Sequence, residues 1–125
     1  MIISGKEKGN IGENIAAEYL KDNGYSILFR NFRTRFGEID IIGEEDGYIV
    51  FIEVKARKNF QMGLPCESVS INKQRRIARM ASLYIAINNL SDRNFRFDIV
   101  EMILDGENAK YIRILKDAFW VEKAF

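Results

Sequence analysis

Residues 37–55 read GEIDIIGEEDGYIVFIEVK, and this stretch decides the fold. Its two halves, residues 37–42 and 48–55, are rich in β-branched and aromatic residues, a composition typical of strands. The charged link between them contains Asp-Gly, which is a strong hairpin signal. The stretch is therefore predicted to form two antiparallel strands joined by a tight loop.

Three charged residues interrupt this apolar hairpin. Asp40 lies inside the first strand, and Glu53 and Lys55 lie at the end of the second. Buried strands rarely carry such residues unless the charges are paired or bind something. The hairpin is therefore a candidate functional site.

The geometry of the hairpin follows from its loop. A four-residue loop at 44–47 places Gly43 opposite Tyr48, and side chains then alternate between two faces. One face carries Glu38, Asp40, Phe51, Glu53 and Lys55, and the other carries Ile39, Ile41, Val50, Ile52 and Val54. Asp40 becomes a diagonal neighbour of Glu53, roughly 5–8 Å away, so the two carboxylates can share a divalent cation. A one-residue slip would separate them.

Two explanations fit this cluster. Carboxylate oxygens suit Mg²⁺ or Mn²⁺, which activate water and neutralise phosphate charge, while a neighbouring lysine stabilises the transition state of phosphodiester hydrolysis. Alternatively, Lys55 pairs with Glu53 or Asp40 in an ordinary salt-bridged sheet edge. The spacing alone leaves both explanations open.

The charge of the chain is balanced but unevenly distributed. The 125 residues suffice for one domain, residues 1–125, and carry a net charge of +1. Residues 30–35 and 55–79 together hold ten lysines and arginines and one acid, whereas residues 36–54 hold six acids and no base. An acidic site flanked by basic segments fits a nucleic-acid partner, although solvated surface charge gives the same pattern.

Composition excludes several classes of site. The chain has no histidine, which excludes Ser-His-Asp and Cys-His catalysis. Its single cysteine, Cys66, has no partner for an intramolecular disulfide, so a reducing, cytoplasmic location is expected. We find no signal peptide and no apolar run of about 18 residues, so no membrane association is expected.

The remaining sequence predicts an α/β fold. Helices are predicted at residues 10–23 and 71–88, with Ser70 as the N-cap of the second, and strands at 25–33, 95–104 and 110–115 around the hairpin. A right-handed crossover should make the third and fourth strands parallel within one mixed sheet flanked by helices. Residues 56–69 are predicted to form a loop, and the apolar tail at 118–121 to pack on the core or on a second subunit.

Two helical residues have ambiguous positions. Glu13 lies at the edge of the apolar arc of the first helix, where it either points inward or merely favours the helix dipole. Without other information the dipole explanation is favoured for Glu13. Lys73 falls within the apolar stripe of the second helix, where it either reaches out to solvent or points at a negative group.

An aspartate in one strand and Glu-x-Lys ending the next, within an α-β-β-β-α-β order, resembles the PD-(D/E)xK nuclease superfamily. The chain resembles more closely the YraN-like family of uncharacterised bacterial proteins, described as endonuclease-like. The matching segments cover nearly the whole chain, and the most specific are residues 37–40 (GEID) and 51–57 (FIEVKAR). Ile39 stands where the superfamily name has proline, a position that varies among its members.

The resemblance implies a restriction-endonuclease-like core and a metal-dependent nuclease, with branched DNA as one substrate class and DNA favoured over RNA. It implies catalytic roles for Asp40, Glu53 and Lys55, and Mg²⁺ or Mn²⁺ held by Glu13, Asp40 and Glu53. A basic rim for nucleic acid is expected from Arg33, Arg35, Arg57, Lys58, Lys73 and Arg76. Junction cutters tend to be symmetric dimers, which makes a homodimer one expected arrangement. The alternative is a non-catalytic nucleic-acid-binding or scaffolding module with the same fold.

Overall fold

The computed structural model describes residues 5–59 and 69–121, which form one mixed sheet flanked by two helices. The elements are α1 (Gly5–Asp22), β1 (Ser26–Thr34), β2 (Gly37–Glu45), β3 (Tyr48–Arg57), α2 (Ile71–Ile87), β4 (Asn94–Asp105) and β5 (Asn108–Leu115). The strands lie in sequence order across the sheet, with β3 and β4 parallel and all other neighbours antiparallel. The predicted α/β class, element order and parallel pair are confirmed.

Both faces of the sheet are buried. Along β3, Ile49 and Phe51 pack into the core under α2, whereas Val50 and Ile52 pack into the core under α1. Because side chains on both faces of β3 are buried, the apolar run of this strand is nearly continuous. Only the charged end of the strand, Glu53 and Lys55, departs from it.

The hairpin loop is shorter than predicted. Glu45 pairs with Tyr48, so the loop contains only Asp46 and Gly47. Both have positive φ, 52° and 81°, as the tight turn favoured in hairpins requires. The four-residue loop is therefore wrong, and the register moves by two residues. An even shift keeps every β3 side chain on its predicted face.

Regular alternation fails in β2. Ile39 and Ile42, which are three residues apart, both belong to the core under α2, whereas Ile41 faces α1. The prediction that Ile39 shares a face with Ile41 is therefore wrong. The irregularity lies at Asp40, between two residues that face opposite sides of the sheet.

The neighbouring strand β1 carries the same irregularity. Asn31 adopts a left-handed conformation with φ of 57°, and Phe29 and Phe32 on either side of it both contact the ring of Tyr84. Since Phe29 pairs with Ile42, the two strands change face at the same level of the sheet. This shared distortion turns Asn31 and Asp40 toward the gap described below.

The helices largely follow the prediction. α1 begins at Gly5, five residues before the predicted start. It continues through Gly9, because the cost of about 1 kcal/mol for a glycine inside a helix is too small to end it. The Ser70 hydroxyl accepts a hydrogen bond from the Lys73 amide at 3.2 Å, which confirms the N-cap of α2. Neither described helix is long and apolar enough to cross a membrane.

The C-terminal tail packs on the core. Phe119 is buried and its ring stacks on Phe97 with centroids 5.0 Å apart, while Trp120 remains 74% exposed. Cys66 and most of the predicted loop at 56–69 lie outside the described residues.

Candidate metal centre

The site forms where two paired strands separate. The pairing of β2 with β3 runs from Glu45–Tyr48 to Ile41–Ile52. Beyond that point the Asp40 carboxylate accepts a hydrogen bond from the Val54 amide at 2.8 Å. A side chain thus takes the place of the next backbone hydrogen bond, and a gap opens between the strands.

Three carboxylates meet at this gap. Glu13 of α1 and Glu38 and Asp40 of β2 each offer an oxygen, and these oxygens lie within 4.8 Å of one another. We refer to these three residues as the carboxylate cluster. Oxygen ligands at this spacing suit a hard divalent cation such as Mg²⁺ or Mn²⁺.

An asparagine holds two members of the cluster together. The Asn31 side-chain amide donates to Glu13 at 2.8 Å and to Glu38 at 2.6 Å. Arg33 pairs with the other oxygen of Glu38 at 2.8 Å. The left-handed backbone of Asn31 is what directs its amide toward both acids, and such outer contacts orient metal ligands.

Glu53 approaches the gap from the side of α2. Its carboxylate pairs with Lys73 at 2.6 Å and lies 3.7 Å from the Lys55 ammonium. Glu53 is therefore next to the carboxylate cluster without being part of it, whereas Asp40 lies with Glu13 of α1. Asp40, Glu53 and Lys55 nevertheless line one cavity, and the charge of Glu53 is near enough to raise the pKa of Asp40. Separation of the strands opens this cavity to both helices, since Glu13 of α1 and Lys73 of α2 also line it.

Burial makes the electrostatics of the site unfavourable without a cation. Burial, and then the nearby charge of Glu53, raises the pKa of Asp40 to about 8. The pKa of Glu13 is also raised, mainly by burial and also by the charge of Glu38, against a lowering hydrogen bond from Asn31. Positive charge between these groups would relieve the crowding, so the residues present fit a divalent cation.

The two lysines differ in their environments. Burial and the neighbouring ammonium of Lys73 lower the pKa of Lys55. Burial also opposes protonation of Lys73, but its hydrogen bond with Glu53 and the nearby negative charges of Glu53 and Asp40 together outweigh burial and raise its pKa. Lys73 is therefore the fixed partner of Glu53, which leaves Lys55 as the less committed cation.

The carboxylate cluster, Glu53 and both lysines line one cavity of about 570 Å³. Its walls come from α1, α2, and the gap between β2 and β3, and its edge includes Phe36 and Arg76. This volume falls within the range of about 300–1,000 Å³ typical of small-ligand sites. The cavity brings together Glu13, Asp40, Glu53, Lys55 and Lys73, which the sequence had indicated separately.

Comparison with known proteins places the chain in a family. The sequence profile of the family described as "Uncharacterised protein family UPF0102" matches residues 12–102. The chain belongs to the UPF0102 family. The predicted resemblance to the YraN-like family is confirmed by this match.

Relatives within UPF0102 match over nearly their whole length. A UPF0102 protein from Caldicellulosiruptor bescii is 49% identical over 116 residues, which cover 91% of this chain and 98% of the relative. One from Clostridium tetani is 50% identical over 115 residues, covering 91% and 94%. One from Clostridium acetobutylicum is 46% identical over 117 residues, covering 93% and 96%.

The predicted basic rim of this UPF0102 protein is only partly assembled at the cavity. Lys73 and Arg76 line the cavity, but Lys73 is engaged with Glu53 and Arg33 with Glu38. Arg35 is exposed beside Phe36. Arg57 is partly buried and Lys58 exposed at the end of β3, outside the cavity lining.

Sequence reasoning missed two residues of the site. Glu38 was placed beside Asp40 but was not predicted as a ligand, and Asn31 was not predicted at all. Glu38 could have been found, because it lies two residues from Asp40 on the same strand. No local pattern reveals Asn31, since its role depends on a left-handed backbone within a strand.

Proposed function

We propose that this protein is a metal-dependent nuclease that hydrolyses phosphodiester bonds of nucleic acid, with DNA favoured and branched DNA as the first class to test. The observation that carries the proposal is the carboxylate cluster, Glu13, Glu38 and Asp40, in one cavity with Lys55. Crowded, partly buried acids beside a lysine are costly for folding alone and suit phosphoryl chemistry.

Each group has a role in this proposal. The carboxylate cluster would hold Mg²⁺ or Mn²⁺, which supplies charge neutralisation and activation of the attacking water. Lys55 donates to a phosphate oxygen as negative charge develops in the transition state. Lys73 holds Glu53 at the edge of the cluster, and Asn31 orients Glu13 and Glu38.

The test is incubation of pure protein with labelled branched and linear DNA and RNA, in Mg²⁺, Mn²⁺ or EDTA. The wild type should produce fragments only with metal, and Asp40→Asn and Lys55→Met should produce none. Asp105→Asn and Lys110→Met are matched controls, because both residues are exposed and neither lines the cavity. Cleavage that persists in EDTA or in Asp40→Asn would contradict the proposal.

The same panel distinguishes the non-catalytic alternative. A nucleic-acid-binding or scaffolding module would retain the oligonucleotides in gel-shift assays without cutting any of them. The pairing of Glu53 with Lys73 at 2.6 Å is compatible with this alternative, because it engages an acid that a nuclease would use. Binding by the wild type without metal-dependent fragments would therefore favour it.

A further inference from the structure

An exposed aromatic ring lies among cations at the edge of the cavity. Phe36, in the turn between β1 and β2, is 36% exposed and lines the cavity that contains Asp40 and Lys55. The Arg35 guanidinium lies 5.0 Å from the ring centroid and that of Arg79 lies 5.9 Å from it. Both distances are within cation–π range.

The turn holds this ring in a defined place. The Phe36 amide donates to the Thr34 hydroxyl at 3.0 Å. Gly37 follows with φ of 133°, a conformation that L side chains rarely adopt, and a Cβ there would lie 3.7 Å from Met80 of α2. The ring is therefore presented by a constrained turn packed on α2.

Arg35 and Arg79 beside the ring, and Arg76 in the cavity lining, lack acidic partners among residues 5–59 and 69–121, where no ion pair uses them. Arg33 on the same strand is instead neutralised by Glu38. Neighbouring guanidinium groups without counter-charge repel each other, so this edge of the cavity favours an anion.

One ligand chemistry matches both features. A nucleotide offers phosphate charge to the arginines and a flat π-face to the ring, and proteins that bind single strands combine these two contacts. An acidic peptide would satisfy the arginines but would offer no flat π-face to the ring. The edge of the cavity therefore favours a nucleotide over a protein segment.

We infer that Phe36, flanked by Arg35 and Arg79, is a stacking site for an unpaired base next to the phosphate in the cavity. This inference rests on the proposed nuclease function and specifies its substrate. In a continuous duplex both faces of each base are covered by neighbouring bases, whereas an unpaired or terminal base has a free face. The preferred substrate is therefore a nucleic acid with unpaired nucleotides at the cut.

The test compares three labelled oligonucleotides of common sequence: a single strand, a full duplex, and a duplex with a short unpaired tail. Binding is measured with Ca²⁺ in place of Mg²⁺, and a fluorescent adenine analogue in the unpaired segment reports stacking. The variants are Phe36→Ala and Phe36→Trp, with Trp120→Ala as control, since Trp120 is a more exposed aromatic residue outside the cavity lining.

The wild type and Trp120→Ala should prefer the two oligonucleotides with unpaired bases. Phe36→Ala should weaken binding of these two by about 5- to 150-fold, the range expected for removal of one base stack, and leave the full duplex unchanged. Phe36→Trp should retain the preference and quench the analogue.

Two results overturn the inference while leaving nuclease function intact. One is cleavage by the wild type together with unchanged binding by Phe36→Ala, and the other is equal weakening of all three oligonucleotides by that variant. Absence of both binding and cleavage by the wild type would instead contradict the proposed function itself.

Discussion

Asp40 has a strongly perturbed carboxyl group. It accepts a hydrogen bond from the Val54 amide, and burial together with Glu53 raises its pKa to about 8. The raised pKa means that ionised Asp40 destabilises the folded protein relative to the unfolded chain. The group therefore contributes to stability when protonated and opposes folding when charged.

Replacing Asp40 with Asn should stabilise the metal-free protein in a pH-dependent manner. The folded pKa lies above the unfolded value, so the wild type loses stability as pH rises from about 4 to about 8. The advantage of Asp40→Asn should grow over this range by at most about 1.4 kcal/mol per pH unit, and then level off. Urea unfolding in EDTA at several pH values measures it.

Saturating Mg²⁺ or Mn²⁺ should reduce that advantage, because a cation stabilises the ionised carboxylate of the wild type. Asp105→Asn provides the control for removal of an exposed aspartate. If Asp40→Asn unfolds the protein, Asp40 is a structural partner and not a metal ligand.

Replacing Asn31 with Gly should weaken metal binding without disturbing the backbone. Glycine adopts the left-handed conformation freely but has no amide to hold Glu13 and Glu38. Mn²⁺ affinity, measured by calorimetry, should fall by about 10- to 100-fold, the usual effect of removing a group that orients metal ligands.

Asn89→Gly is the matched control for Asn31→Gly. Asn89 also has a positive φ, 55°, but it follows α2 and does not make the hydrogen bonds to Glu13 and Glu38 that Asn31 makes. An equal drop in Mn²⁺ affinity in both variants would show that the effect comes from glycine in the chain and not from removal of the amide.

At the scale of elements, the site depends on how closely α1 approaches β3. Gly12 allows this approach, because a Cβ there would lie 3.2 Å from the Cβ of Ala56. The next residue along α1 is Glu13, which belongs to the carboxylate cluster. The spacing between helix and strand therefore sets the position of one proposed ligand.

Gly12→Ala should displace α1 by a few tenths of an ångström and lower Mn²⁺ affinity several-fold. The overpacking cost of about 1–3 kcal/mol is partly offset by the better helix propensity of alanine, about 1 kcal/mol, so the fold should persist. Calorimetry and circular dichroism measure the two effects. The double variant Gly12→Ala with Ala56→Gly should recover affinity, and failure to recover it would contradict this account.

At the scale of the whole molecule, exposed cations lie near an acidic cavity, and the proposed nucleic-acid partner would meet both. The net charge is only +1, but Lys58 and Arg76 are exposed near the ends of the elements that line the cavity. Each phosphate bound by a cation releases counterions and so makes binding depend on salt. Such interactions position nucleic acid without specifying its sequence.

Neutralising Lys58 and Arg76 together should lower affinity for many sequences and flatten its salt dependence. For each phosphate that is no longer neutralised, the logarithmic slope should become less negative by about 0.9 for duplex DNA and about 0.7 for single strands. Fluorescence anisotropy over a salt series measures the slope. The pair Lys21→Gln and Lys110→Gln removes equal charge from outside the cavity lining and should leave the slope unchanged.

An unchanged slope for the Lys58 and Arg76 variant would mean that other cations bind the phosphates. Binding by the wild type that does not depend on salt at all would argue for a protein partner in place of nucleic acid.

The sequence by itself determined the element order, the parallel pairing of β3 with β4, and the buried stripe of α2. Periodicity, turn residues and the Ser70 cap act over a few neighbouring residues, so their signals are present in the chain. It also indicated Asp40, Glu53 and Lys55, because charge inside an apolar strand is visible without coordinates. Even the wrong loop length was harmless to β3, since the error was an even number of residues.

Only the tertiary structure decided how the site is assembled. Period-two alternation could not show that Ile39 changes face, that Asn31 is left-handed, or that Glu53 pairs with Lys73. These features arise where β2 leaves β3 and where α1 and α2 approach the gap from opposite sides. They depend on interactions between residues far apart in the chain, which local periodicity does not encode.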